Sequence, residues 1–130
     1  MEIEKIFKNL ILIDFGVLIL IVISSMYQPQ EIINIYDTLD DGFLSNFDNF
    51  SRIISLVLFF LYLITLNLLY RFVSYGKPLY LFLITAGLLF NYLSGSVIYT
   101  SFGGLLDQVG GIISGAILIL LYYSPIKNNF

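Results

Sequence analysis

Residues 53–99 read IISLVLFFLYLITLNLLYRFVSYGKPLYLFLITAGLLFNYLSGSVIY. They form two apolar runs, Ile53–Tyr70 and Leu79–Tyr99, joined by the connector Arg71–Pro78. As a helix rising ~1.5 Å per residue, each run is long enough to cross the ~30 Å hydrocarbon core of a bilayer. Arg71 and Lys77 carry the charge of this stretch, and both sit in the connector. Lys and Arg accumulate in cytoplasmic loops, so the connector is expected to face the cytoplasm.

The composition agrees with a membrane setting. The chain has 130 residues, 58% of them hydrophobic and only 12% charged, with a mean hydropathy of +0.92. A water-soluble globule of that size needs a more polar shell, whereas in lipid one compact bundle accommodates the composition. Net charge is −3, which argues against nucleic acid as a partner, and no run of basic residues marks a site for anionic head groups. Cysteine and histidine are both absent. Thiol nucleophiles, disulfides, Cys/His zinc sites and His-ligated haem are thereby excluded, and no cofactor is expected.

The chain in order predicts an all-α membrane protein with four transmembrane helices, at about 7–27, 53–73, 78–99 and 103–123. The charged lead to Asn9 precedes the apolar run Leu10–Met26, which Asp14 interrupts. A signal peptide is the competing reading of this start. Glu2, Glu4 and Asp14, with the poor cleavage match at Ser24-Ser25-Met26, favour an uncleaved helix. An Asp at a helix centre costs ~3 kcal/mol, which the Leu, Ile, Val and Phe residues around it offset at ~0.3–0.6 kcal/mol each.

Residues 28–52 form the predicted outer loop. Ile32, Ile35, Tyr36, Leu39, Phe43, Phe47 and Phe50 recur at helical intervals, so one or two short amphipathic helices are expected on the bundle surface or in the interface. An up-down bundle with both ends inside places Lys5, Lys8, Arg71, Lys77 and Lys127 in the cytoplasm and only Arg52 outside. Tyr27 and Tyr99 then mark outer helix ends. Tyr70, Tyr75, Tyr80, Tyr122 and Tyr123 mark inner ones, as interfacial tyrosines do.

Asp14 is the leading candidate for chemistry. Counting ~1.5 Å per residue from Phe7 puts it ~10 Å below the cytoplasmic boundary, level with Asn67 and Thr85 and one turn from Arg71. A carboxylate, an amide and a hydroxyl facing inward can bind a cation or relay a proton. The same residues also serve as a polar clamp, with Asp14 paired to Arg71 or hydrogen-bonded to Asn67. A third alternative is an acid that snorkels to the interface.

Small residues carry the packing signal. Gly103, Asp107, Gly111 and Gly115 follow one another at four-residue steps in the last helix, as do Gly87, Asn91 and Gly95 in the third. Such a groove lets backbones approach closely, either between these two helices or toward another subunit. By the same counting Asp107 lies ~15 Å from Asp14, too far for a carboxylate dyad, and a loop-ordering role is expected for it. Asp37, Asp41, Gly42, Leu44 and Asp48 fall at EF-hand loop positions, but Leu39 replaces a ligand and the last acid is Asp rather than Glu. A solvated acidic face is the expectation there, with no metal site.

The stretch LLYYSPIKNNF, Leu120–Phe130, with the hairpin before it, resembles the endings of uncharacterised four-helix inner-membrane proteins of bacteria. The resemblance covers about the last half of the chain and implies a multi-pass inner-membrane location without implying an activity. An acid in the first of four helices is also similar to the small multidrug-resistance transporters. Their acid is a glutamate and their loops are tight, so residues 27–52 have no counterpart. Small fluoride channels share the size but pair antiparallel with little charge bias.

These readings lead to a small, non-enzymatic accessory subunit, with the bilayer and either a second copy or another membrane protein as partners. The alternative is an oligomeric ion- or proton-coupled transporter or channel using Asp14.

Overall fold

A computed structural model describes residues 2–36, 48–94 and 97–130, and all regular structure among them is helical. The elements are α1 (Glu2–Met26), α2 (Gln30–Tyr36), α3 (Asp48–Tyr70), α4 (Gly76–Leu93), α5 (Ser101–Tyr123) and a 3₁₀ helix (Pro125–Asn129). Four of these, α1, α3, α4 and α5, are long and apolar enough to cross a membrane.

Local chemistry sets the boundaries, which differ from the expected ones mainly at helix starts and at the end of α4. Glu2 and Glu4 occupy the first described turn of α1, where carboxylates meet the positive end of the helix dipole. α4 stops at Leu93 instead of running to Tyr99. Ser94 is its C-cap, with backbone N–H and hydroxyl both donating to the carbonyl of Phe90, at 2.9 and 2.7 Å. Extended backbone at Thr100 then opens α5, and its hydroxyl accepts from the N–H of Gly103 at 3.0 Å.

Of the expected amphipathic segment, α2 is described, and Ile33 and Ile35 on it remain exposed. Leu39, Phe43 and Phe47, with most of the EF-hand-like positions, lie outside the described residues.

The turn between α3 and α4 is closed by two backbone hydrogen bonds. The N–H of Phe72 donates to Leu69 O at 3.0 Å and that of Val73 to Leu68 O at 2.9 Å. This is the double bond of a Schellman motif. Its left-handed position is normally glycine, yet here it is Phe72, with φ of 56°. Gly76 follows where space is short, since a Cβ there would lie 3.1 Å from Leu69 Cδ2 and 3.3 Å from Leu69 N.

Packing is uneven. α1 rests along α5 and α3 along α4, whereas α4 and α5 touch only sparingly. The seam between α1 and α5 sets Phe7, Ile11, Asp14 and Val17 against Leu106, Ile113, Ile117 and Leu121, all of them buried. The three-, four- and seven-residue steps between them put these residues on one face of each helix. Large apolar residues cover the outside, with Leu88 68% and Ile112 73% exposed, as lipid contact requires.

At one end of the bundle the start of α1, the α3–α4 turn and residues 125–130 meet. Phe7 stacks on Phe72 at 5.8 Å between ring centroids, and Phe130 meets Phe72 at 5.3 Å and Phe7 at 6.1 Å, both edge-on. Polar contacts surround this aromatic trio. Lys77 Nζ donates to Lys127 O at 2.9 Å, Asn129 Nδ2 donates to Glu4 Oε1 at 2.7 Å, and Ile126 is buried beneath them.

Candidate functional site

The long helices each send one polar group to a common point inside the bundle. Asp14 comes from α1, Tyr62 from α3, Tyr80 from α4 and Ser114 from α5. Tyr62 Oη donates to Asp14 Oδ2 at 2.6 Å, the short contact of a hydroxyl on a carboxyl oxygen. The same Oη lies 3.4 Å from Tyr80 Oη and 3.4 Å from Ser114 Oγ. A phenol has one proton to give. With that proton on Asp14, the lone pairs of Tyr62 accept from Tyr80 and Ser114, so a single oxygen ties four helices together.

Each member is placed by the interior stripe of its helix. Asp14 lies between Ile11 and Val17, and Tyr62 lies one turn before the buried Thr65 and Leu66. Tyr80 lies between the buried Gly76 and Leu83, and Ser114 follows the buried Ile113. The Tyr62 and Tyr80 rings are 5.8 Å apart and tilted by 32°, which brings both hydroxyls to the same place. Asp14 is 4% exposed and Tyr80 0%. Among the described residues no buried side-chain nitrogen or oxygen lacks a hydrogen-bond partner. Thr65, also fully buried, satisfies its hydroxyl on Leu61 O at 2.7 Å.

The structure does not bring the expected polar cluster together. Asp14 is joined to Tyr62 instead of Asn67, Arg71 or Thr85, and all three of those are exposed. Thr85 donates to Leu81 O at 2.9 Å on its own helix. Asn67 and Arg71 line a groove between α1 and α3, on a different face from the buried carboxyl. Depth counting carries no azimuth, and residues counted to one depth can point to opposite sides of their helices. Tyr80 needs the opposite correction. Its position near a helix start suggests an interfacial ring, yet its side chain turns wholly into the core.

The small-residue groove is divided rather than continuous. A Cβ added at Gly87, Gly111 or Gly115 would meet nothing within 4 Å, so these positions do not pack α4 on α5. Two glycines of α5 receive α1: a Cβ at Gly110 would lie 3.7 Å from Val17 and 4.0 Å from Ile21, and one at Gly103 would lie 3.6 Å from Ser24 Oγ. Gly103 serves the cap of α5, with Thr100 Oγ1 3.2 Å from where its Cβ would be. Asn91 is exposed, Gly95 lies outside the described residues, and Asp107 is exposed at the rim of a cleft of about 150 Å³ shared with Ser24, Gln28 and Thr100.

Tyr62 and Ser114 were the site residues that sequence reasoning missed. The available signal was spacing, since Tyr62, Thr65, Leu66 and Leu69 recur at the interval of one helix face. No protein-family model, curated protein or solved structure matches this chain.

Proposed function

We propose that this chain is a multi-pass protein of the bacterial inner membrane, with both ends cytoplasmic and the helices running alternately up and down. In this reading it acts as a non-enzymatic interaction or accessory subunit. The observation that carries the reading is the internal closure of the buried polarity. Asp14 is held by Tyr62, and it lines neither the cleft beside Ser24 and Asp107 nor the groove beside Asn67 and Arg71. A buried carboxyl satisfied by groups from other helices is a clamp that fixes the bundle. The basic residues at the aromatic end, Lys5, Lys8, Arg71, Lys77 and Lys127, against Arg52 at the far end of α3, support the orientation. The open face of α5 at Gly111 and Gly115 supports a second copy or another membrane helix as partner, because small residues there let a backbone come close.

Native mass measurement in detergent tests this reading. An assembly larger than one protomer, reduced to the protomer by Gly111→Leu or Gly115→Leu, is the expected result. A solitary protomer in both forms overturns it.

A second reading is favoured by the hydroxyls themselves. Tyr80 and Ser114 lead to Tyr62 and on to Asp14, and such a chain can pass a proton. It belongs to a proton-coupled transporter, with Asp14 as the coupling acid. Vesicles containing the chain and a pH-sensitive dye separate the two. The clamp reading expects proton flux equal to that of protein-free vesicles, and the transport reading expects flux that Asp14→Asn abolishes.

A further inference from the structure

The groove between α1 and α3 has a chemical gradient along its length. Ile11 and Phe15 of α1 face Leu63 and Leu66 of α3 over a volume of about 360 Å³, and the end nearest the α3–α4 turn carries Asn67 and Arg71. Asn67 and Arg71 are one helical step of four apart, so they share a face about 6 Å apart along the axis. Both are exposed, and no ion pair or side-chain hydrogen bond from either occurs among the described residues. An amide that faces hydrocarbon needs a partner, since an unmet polar group in lipid costs several kcal/mol. A second cation stands at the same end. Lys8 Nζ lies 5.2 Å over the ring of Tyr70, the neighbour of Arg71 in the chain. Glu4, the acid one turn before Lys8, is already engaged by Asn129.

We propose that this groove holds one anionic glycerophospholipid of the surrounding bilayer. Its acyl chain lies between Phe15 and Leu63, its glycerol ester carbonyl accepts from Asn67, and its phosphate sits on Arg71 with Lys8 adding positive charge. The order of these groups follows the order of a lipid from tail to head. The net negative head group is selected because Arg71 lines the groove end with no carboxylate paired to it among the described residues, and Lys8 stands over the rings of the adjoining Tyr70 and Phe72. The sequence hides this pair, since Lys8 and Arg71 lie on separate segments that only the fold brings together.

Native mass spectrometry of the detergent-purified chain tests the proposal with phosphatidylglycerol, phosphatidylcholine and inorganic phosphate as separate probes. One phosphatidylglycerol is retained in preference to phosphatidylcholine, and phosphate alone is not retained. Arg71→Gln lowers retention about tenfold, the effect of losing one charge-assisted hydrogen bond, while Arg52→Gln, which removes an equal charge at the other end of α3, changes nothing. Leu12→Trp fills the groove at an exposed wall, leaves Arg71 in place and expels the lipid. Equal retention of the two lipids overturns the proposal, as does undiminished retention by Arg71→Gln or Leu12→Trp, or binding of phosphate without the lipid. None of these outcomes depends on the oligomeric state or on proton flux, so they are independent of the accessory reading.

Discussion

The phenol of Tyr62 donates a hydrogen bond to Asp14 Oδ2 across 2.6 Å, joining residues 48 positions apart in the chain. Removing that hydroxyl leaves a carboxyl buried in an apolar bundle with its principal donor gone, a loss of about 1–3 kcal/mol. Tyr62→Phe is therefore expected to lower the thermal midpoint of the detergent-solubilised chain more than Tyr80→Phe, whose hydroxyl stands at 3.4 Å. Adding Asp14→Asn to Tyr62→Phe should cost less than the sum of the single changes, since both act on one bond. Strict additivity would refute the coupling.

Phe72 offers a contest between backbone and side chain. Its positive φ costs roughly 1–2 kcal/mol in a residue with a Cβ, and its two ring contacts return about 0.5–1.5 kcal/mol each. Phe72→Gly relieves the strain and loses the rings, whereas Phe72→Ala keeps the strain and loses the rings. The expected order of stability is wild type, then Gly, then Ala, with the last two separated by about 1 kcal/mol. A melting series that ranks Ala above Gly would show that the turn is not strained.

Adjacent glycines should answer differently to the same substitution. Gly110→Leu drives a side chain into Val17 and Ile21 and is expected to destabilise the α1–α5 seam by about 1–3 kcal/mol. Gly111→Leu and Gly115→Leu extend into open space and should leave the melting temperature of a single protomer unchanged. Circular dichroism melts of the three variants check this, and equal losses at all three would mean that the α5 face is covered within the chain.

Orientation can be read directly because the chain contains no cysteine of its own. Tyr75, in the turn before α4, is 79% exposed, and Tyr27, past the end of α1, is 80% exposed. Tyr75→Cys should react with a membrane-impermeant maleimide only after the cells are opened, and Tyr27→Cys should react in intact cells. The reverse pattern inverts the proposed topology.

The long helices were legible because lipid demands runs of apolar residues, and no other signal in a sequence is so long or so uniform. Which way each helix faces was not. In water the buried face is the apolar one, but α1 is apolar toward Ile11 in the core and toward Ile13 outside, so hydrophobicity carries no direction. Polar residues must then supply it. Asp14 did so for α1, while the tyrosines were ambiguous, since the same side chain suits a membrane interface and a buried hydrogen bond. Tyr80 fell on the wrong side of that choice. The glycine steps misled for a related reason, as Gly111 and Gly115 have the spacing of a close contact and Gly110 beside them has the contact.

The four-way junction at Tyr62 has a consequence for biogenesis. α1 leaves the ribosome carrying an acid whose donor has yet to be made. At about 5–20 residues per second, the 48 residues between them take roughly 2–10 s to translate. Through that interval Asp14 must find water or head groups, so the newborn first segment waits near the membrane surface and settles only when the later one arrives. A nascent chain arrested before Tyr62 should be extracted by alkaline carbonate, and one arrested after α3 has cleared the exit tunnel should stay in the bilayer.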